Sequence, residues 1–324
     1  MTRARSVLVL TTGGTIASRD DGTGARTATA AGRELLHSAQ TAPELDVRVR
    51  DVLHTDSSAL TLADLDTIRA AVAGALAEDV LGVVLTHGTD TLEETALLLD
   101  LVHDDPRPVV LTGAVRSADD PHPDGPGNLR DALAVAASPT ARGLGVLVVL
   151  GGSAHAARGT RKLHTTAPTP FHDPRWGAVG LVTGAGLDVV RNPERPAVLT
   201  PGPLAGLRVD VVALYPGADA TALDAHVAAG ARGLVLETTG SGNTNPDVVT
   251  AVARHVRAGV TVLVSTRVHA GEVAAVYGGG GGGRDLIDAG AVLVPWLRPG
   301  QARIQLLALL AAGAGDEEVR TASW

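Results

Sequence analysis

The sequence predicts an α/β protein: a larger N-terminal domain built on a mainly parallel sheet, then a smaller C-terminal α/β domain. Three observations carry this. Short apolar runs rich in Val and Leu recur along the chain, helical patterns stand between them, and one proline-rich stretch interrupts the alternation. Runs of four to six apolar residues are what strands covered on both faces look like. Their alternation with helices implies parallel pairing. The length of 324 residues agrees with two domains at roughly 150 residues each.

Taken in order, Val7–Leu10 is the first strand, followed by a helix over Leu62–Leu76 that opens at a loose capping box, Thr61 to Asp64. Leu81–Leu85 is a strand, and Leu92–Val102 a helix with a stronger box, Thr91 to Glu94, and Asp90 as alternative cap. Strands at Pro108–Leu111 and Gly145–Leu150 flank a helix over Asn128–Ala137. The stretch Arg191–Arg208 holds four prolines and little periodicity, so it reads as an extended connection. This sets the expected domains at 1–190 and 209–324, with 191–208 between. In the second, strands at Asp210–Leu214, Gly233–Leu236 and Val260–Val264 alternate with helices at Ala220–Ala229, Pro246–Arg257 and Gln301–Leu310. The six glycines of Gly278–Gly283 predict a mobile loop unless a partner orders it.

Composition removes several function classes. A formal charge of −8 argues against a phosphate-backbone partner, which needs a basic face. Aromatic residues at 2% leave no platform for stacking bases. With no cysteine, disulfides, thiol nucleophiles and Cys–zinc sites are all excluded. The chemistry must run on Thr, Ser, Asp, Lys and His. The N-terminal apolar stretch is too short for a signal peptide, and no run approaches the roughly 18 apolar residues of a membrane span. The expectation is a soluble, cytoplasmic protein without a membrane or nucleic-acid partner.

Ligands of open α/β sheets bind beyond the carboxyl ends of strands. The first strand is followed there by Thr11-Thr12-Gly13-Gly14-Thr15-Ile16-Ala17, and the second by Thr86-His87-Gly88-Thr89-Asp90-Thr91. Each loop sets a Thr hydroxyl beside glycine, where a substrate can approach the backbone and free N–H groups can hold an oxyanion. Singly, each has a plainer reading: a strand exit with β-forming threonines, Asp90 as a helix cap, His87 bonded to backbone. Two such loops at two strand ends are not explained that way. Neither is a P-loop or a GxGxxG turn. Asp119, Asp120, His122 and Asp124 lie in a Pro- and Gly-rich turn without zinc spacing, so no metal is expected.

The segments T-G-G-T-I-A at Thr12–Ala17 and H-G-T-D-T at His87–Thr91 resemble the paired signatures of the bacterial-type L-asparaginase/glutaminase family. The likeness continues through Asp56-Ser57-Ser58, Asp124-Gly125-Pro126-Gly127-Asn128-Leu129, Lys162-Leu163-His164-Thr165-Thr166, Gly240-Ser241-Gly242-Asn243 and the helix at Ala302-Arg303. Order and spacing hold across nearly the whole chain. The resemblance implies a flavodoxin-like N-terminal sheet, a cofactor-free amidohydrolase acting on L-asparagine, and a homodimer or homotetramer with shared sites. It implies that Thr12 is the nucleophile and that Thr89, Asp90 and Lys162 form the group near the scissile amide. Ser57 and Ser58 would hold the substrate α-carboxylate, and Asp90 its α-ammonium. Asn243 would reach a neighbouring subunit's site, and backbone N–H groups near Gly88 and Thr89 would receive the oxyanion.

Such chemistry suits these residue types. An amide is a poor electrophile, so hydrolysis needs an activated nucleophile and donors aimed at the developing oxyanion. Lys162 can act as base once burial leaves it neutral; taken alone, beside Arg158 and Arg161, it would be a solvated basic edge. Two departures stand out. The family's lid tyrosine has no counterpart in Arg19–Ala31, so either another hydroxyl such as Thr23 or Thr27 substitutes, or activation of Thr12 is weaker, or the lid works differently. Gly283 stands where some members place an acid, with Glu272 and Asp285 nearby. These keep two other readings open: a non-catalytic amino-acid-binding or regulatory module, and an amidase subunit of a tRNA-dependent amidotransferase.

Overall fold

A computed structural model of the chain describes residues 6–20, 26–28, 45–184, 186–322 and 324. It divides into two compact units, one through Val198 and one from Leu199. Of the lid segment, Thr23 lies outside the described residues, and Thr27 is described by its backbone alone.

The first unit runs β1 (Ser6–Thr11), β2 (Ser18–Asp20), β3 (Arg26–Ala28), β4 (Asp46–Asp51), α1 (Leu62–Leu76), β5 (Gly82–Thr86), α2 (Leu92–Leu101), β6 (Val109–Thr112) and α3 (Gly125–Ala137). It continues through β7 (Val146–Leu150), β8 (Ser153–Ala156), β9 (Arg161–Lys162), β10 (Phe171–His172), β11 (Gly180–Thr183) and β12 (Gly186–Val189). Eight strands form one sheet in the order β12-β11-β8-β7-β6-β5-β1-β4. From β4 to β7 every pairing is parallel, in the 2-1-3-4-5 order of flavodoxin-like sheets. β1, β5, β6 and β7 are buried along their whole length, which is why their sequences are unbroken apolar runs.

The sheet also holds strands that no apolar run announces. β4, Asp-Val-Arg-Val-Arg-Asp, is a half-exposed edge with arginines on one face. Beyond β7, the strands β8, β11 and β12 extend the sheet in antiparallel fashion.

Helix starts show where local signals win and where they lose. The Thr61 hydroxyl accepts from Asp64 N at 3.2 Å and Asp64 Oδ2 from Thr61 N at 2.8 Å, so the loose box does form. The box expected at Thr91–Glu94 does not: no side chain caps α2, and the Thr91 hydroxyl donates to the Ser57 carbonyl at 2.8 Å. The hydroxyl that would accept from Glu94 N is turned instead to a distant carbonyl. α3 begins at Gly125, three residues before the expected Asn128, because Pro126 is compatible with a first helical turn. Asp124 does not cap it. Its carboxylate accepts from Val115 N and Arg116 N at 3.0 and 2.8 Å, and from Asn128 Nδ2 at 3.2 Å.

Residues 191–204 form neither helix nor strand. Arg195 fastens part of this stretch, with Nε 3.2 Å from the buried Asp100 carboxylate and Nη2 donating to the His103 carbonyl at 2.7 Å.

The second unit comprises β13 (Val209–Ala213), α4 (Thr221–Ala228), β14 (Gly233–Thr238), α5 (Pro246–Arg257), β15 (Thr261–Thr266), α6 (Gly283–Asp288), β16 (Val292–Leu293), α7 (Pro299–Ala311) and α8 (Asp316–Thr321). Its four strands pair in parallel, in chain order. The glycine run, expected to be a free loop, is a hydrogen-bonded turn leading into α6. Asp285 Oδ2 accepts from Gly280 N and Gly282 N, both at 2.8 Å. A Cβ at Gly282 would lie 1.9 Å from the Tyr277 carbonyl oxygen, so tight backbone packing requires glycine there. Among the described residues no helix is long and apolar enough to cross a membrane.

Candidate active site

The carboxyl ends of β1 and β5 flank the point where the strand order reverses, the position at which flavodoxin-like sheets bind ligands. Thr12 leaves β1 there and is 1% exposed. Its N–H and its hydroxyl both donate to the Thr86 carbonyl, at 3.2 and 3.0 Å, and its own carbonyl accepts from Thr55 N at 2.9 Å. The Thr12 loop is thereby stitched to the end of β5 on one side and to residue 55 on the other.

Two glycines make the loops' closeness possible. Gly14 has φ +83°, and a Cβ on it would meet Gly88 Cα and N at 2.5 Å. A Cβ on Gly88 would in turn lie 2.6 Å from Ser57 Oγ. Three segments, 12–14, 57 and 87–91, therefore pack backbone to backbone.

Lys162 enters from β9, which among the described residues pairs only with β10. It is the only lysine in the chain, among 27 Lys and Arg residues in all. Its Nζ donates to Thr89 Oγ1 at 2.9 Å and lies 2.6 Å from Asp90 Oδ1. The hydroxyl that Nζ touches is that of Thr89. The Asp90 side chain stays 63% exposed, facing solvent with its remaining acceptor sites.

Ser57 and Ser58 part company. Ser57 is buried; its Oγ accepts from Asp90 N at 3.2 Å and its carbonyl accepts from Thr91, so it joins the loop to its neighbour. Ser58 is exposed. Asn243 lies in the second unit, in a tight turn where Thr239 N donates to its carbonyl at 3.0 Å and its N–H returns to Thr239 O at 2.9 Å. Its buried Oδ1 has no hydrogen-bond partner among the described residues.

Neither acid near the glycine run takes the vacant acidic position plainly. The Asp285 carboxylate is engaged by backbone N–H groups, and Glu272 is exposed. Tyr215 and Tyr277 are exposed too. Among the described residues no group of His, Asp or Glu side chains is arranged to hold a metal ion.

Two residues near the loops were given no catalytic role by the sequence yet shape the site. His87 is fully buried; its Nδ1 lies 2.7 Å from the Gly88 carbonyl oxygen and its Nε2 3.0 Å from the Thr95 hydroxyl. A carbonyl only accepts, so Nδ1 carries the hydrogen and Nε2 accepts from Thr95. Burial pulls this imidazole down to about 4, which keeps it neutral. Glu93, in the first turn of α2, accepts the Lys162 main-chain N–H at 2.5 Å. Desolvation pushes its carboxyl up to about 7, against the pull of that N–H and of Arg161. The signal for Glu93 was an acid at a helix N-terminus, which does not say what it faces.

A flavodoxin-like α/β fold carrying threonine hydroxyls, one lysine and one carboxylate at the switch point defines a class of α/β protein whose site offers hydroxyl rather than thiol chemistry. Comparison with known proteins narrows this. The family model described as "Asparaginase, N-terminal" matches residues 6–195, and that described as "Glutaminase/Asparaginase C-terminal domain" matches residues 208–322. A "Probable L-asparaginase" of Deinococcus radiodurans is 41% identical over 242 residues, 74% of this chain and 73% of the relative. An "L-asparaginase" of Bacillus licheniformis is 32% identical over 311 residues, covering 95% of this chain and 96% of the relative. The crystal structure of a "Probable Cytoplasmic L-asparaginase" from Campylobacter jejuni superposes with a TM-score of 0.84 at 27% identity, over 98% of both chains. The chain belongs to the bacterial-type asparaginase/glutaminase family and is a hydrolase acting on an amide C–N bond.

Proposed function

We propose that the chain hydrolyses L-asparagine to L-aspartate and ammonia through Thr12. The observation that carries the reading is the placement of the chain's only lysine against Thr89 and Asp90, in the loop packed on that of Thr12. The Thr12 oxygen attacks the carboxamide carbon, and the backbone N–H groups near Gly88 and Thr89 face the oxyanion. The proton released by the Thr12 hydroxyl must reach the departing nitrogen. Thr89 and Lys162 form the relay: Lys162, once it has given up its own proton, takes that of Thr12 through the Thr89 hydroxyl as the C–O bond forms, and returns it by the same route to the nitrogen as the C–N bond breaks and ammonia leaves. Water hydrolyses the resulting ester and restores Thr12.

In this reading Asp90, with its exposed oxygens, holds the substrate α-ammonium, and Ser58 with the Ser57 segment holds the α-carboxylate. Asn243 completes the site from a second copy of the chain, so the protein is a homodimer or homotetramer. No cofactor takes part. Asparagine and glutamine differ by one methylene, worth only about 1–3 kcal/mol of discrimination.

Purified protein is expected to release ammonia from millimolar L-asparagine, and Thr12→Ala and Thr89→Ala are each expected to abolish release while the fold persists. No ammonia from the wild type sinks the proposal. Full rates in both variants sink the mechanism. A binding-only module has one observation in its favour: the Thr12 hydroxyl is directed at the Thr86 carbonyl, which is not a base. Calorimetry that detects aspartate or asparagine binding without turnover would select that reading.

A further inference from the structure

Lys162 sits on a two-residue strand outside the main sheet, paired among the described residues only with β10. The chain beyond it is exposed from His164 to Thr166. A short hairpin of this kind has little of its own to hold a catalytic amine to within a fraction of an ångström. One of its ties to the body of the first unit is a carboxylate. Glu93 Oε2 accepts the Lys162 main-chain N–H at 2.5 Å across 69 residues of sequence.

Glu93 stands three residues after Asp90, on the first turn of α2. The same short segment therefore grips Lys162 twice, by its backbone through Glu93 and by its Nζ through Thr89 and Asp90. Two attachment points on one rigid element fix both the position and the direction of the side chain between them.

We propose that Glu93 is a positioning residue, whose side-chain oxygen seats the Lys162 backbone so that the ammonium lies against Thr89 and Asp90. The charged groups around Glu93 are Arg161 and Lys162 on β9 and Glu94 on its own helix. None of these can replace an acceptor for that N–H by a small shift. Arg161 is a cation with donors only, and Glu94 leaves the helix at the next position, in another direction. The inference rests on the proposed role of Lys162 in amide hydrolysis, so its test has an arm that needs no turnover.

Because Lys162 is the only lysine, its acylation by acetic anhydride can be followed on its own peptide by mass spectrometry without interference from other lysines. The three proteins compared are wild type, Glu93→Gln, which keeps an oxygen acceptor, and Glu93→Leu, which removes it. Glu93→Leu is expected to acetylate at Lys162 at least fivefold faster and to lose ten- to a hundredfold in kcat for L-asparagine, with KM within threefold. Glu93→Gln is expected to stay within threefold of wild type in both readouts. A purely structural role would not be rescued by glutamine in kcat while sparing KM. Should Glu93→Leu fail to fold, Glu93→Ala carries the same arms. The proposal is overturned if the acceptor-lacking variant matches wild type in acylation rate, or if glutamine loses as much as leucine. If the wild type releases no ammonia, the functional reading falls, and the acylation rates alone decide the positioning.

Discussion

Adding one methyl group at Gly14 tests how closely the two hydroxyl loops must approach. In Gly14→Ala the new Cβ would lie 2.5 Å from Gly88 Cα and N and 3.1 Å from the His87 carbonyl carbon, where ordinary contact begins at 3.4 Å. All three neighbours are backbone, so no side chain can rotate out of the way. The loops must part by about 1 Å, a displacement that costs on the order of a hundredfold in rate when reacting groups are held on either side. The substitution also forces alanine to φ +83°, at roughly 1–2 kcal/mol, with overpacking adding about 1–3 kcal/mol. A melting temperature lowered by roughly 5–15 °C follows for a unit of this size. Gly143→Ala supplies the control: its φ is +81° and its Cβ would meet nothing within 4 Å, so it carries the strain without the clash. Steady-state ammonia release should fall about a hundredfold for Gly14→Ala and hold for Gly143→Ala, measured where melting curves show both fully folded. A Gly14→Ala rate within threefold of wild type, or an equal loss in Gly143→Ala, refutes the reasoning.

Lys162→Arg is expected to lower kcat by about 10²–10⁴-fold, because a guanidinium cannot give up its proton and does not fit a point-charge site; more than a tenth of wild-type rate would contradict it. Arg195→Met leaves the buried Asp100 carboxylate without its ion pair, at about 3–5 kcal/mol, and adding Asp100→Asn should recover much of the loss in chemical denaturation. Gly74→Ala, on an exposed position of α1 with nothing within 4 Å of the new Cβ, should stabilise by about 0.5–1 kcal/mol, which a rise in the urea midpoint checks. Stability against pH carries two opposed signs. His87 and His155, held down to about 4 by burial, are neutral in the fold and protonate first in the unfolded chain, so stability drops as pH falls from 6.5 toward 4. Glu93, pushed up to about 7, keeps its proton in the fold while the unfolded chain loses it, so stability drops as pH rises from 4.5 to 7. Glu93→Gln removes only the second slope, and urea titrations of that variant should show a steeper loss between pH 7 and 5 than wild type; an unchanged slope contradicts the assignment.

What was legible beforehand followed local physics. The bounds of α1 and α5 are those expected from the sequence, because Thr61 and Asn245 cap their first turns with side chains that sit next to them. The central strands were legible because burial on both faces leaves only apolar residues in them. β4 was not, since an edge strand can alternate Val with Arg. The antiparallel β8, β11 and β12 are short and mixed, with stretches such as Ser-Ala-His-Ala that carry no period. The Thr91 capping box failed for a different reason. The Thr91 hydroxyl, which the box would use to accept from Glu94 N, is turned to the Ser57 carbonyl 34 residues away, and no window of local sequence contains that partner.

The sequence by itself determined the strand-end loops, their hydroxyls and glycines, and the residue types from which any chemistry had to come. These properties depend on neighbours along the chain, and burial imprints them directly on residue choice. Only the tertiary structure decided which groups meet. Parallel pairing of β1 with β5 sets Thr12 on the Thr86 carbonyl, and the β9–β10 hairpin brings Lys162 across 73 residues to Thr89. Sheet register and hairpin placement arise from the packing of the whole unit. For that reason the partners of Ser57, Asp90 and Glu93 could be read in three dimensions and not along the chain.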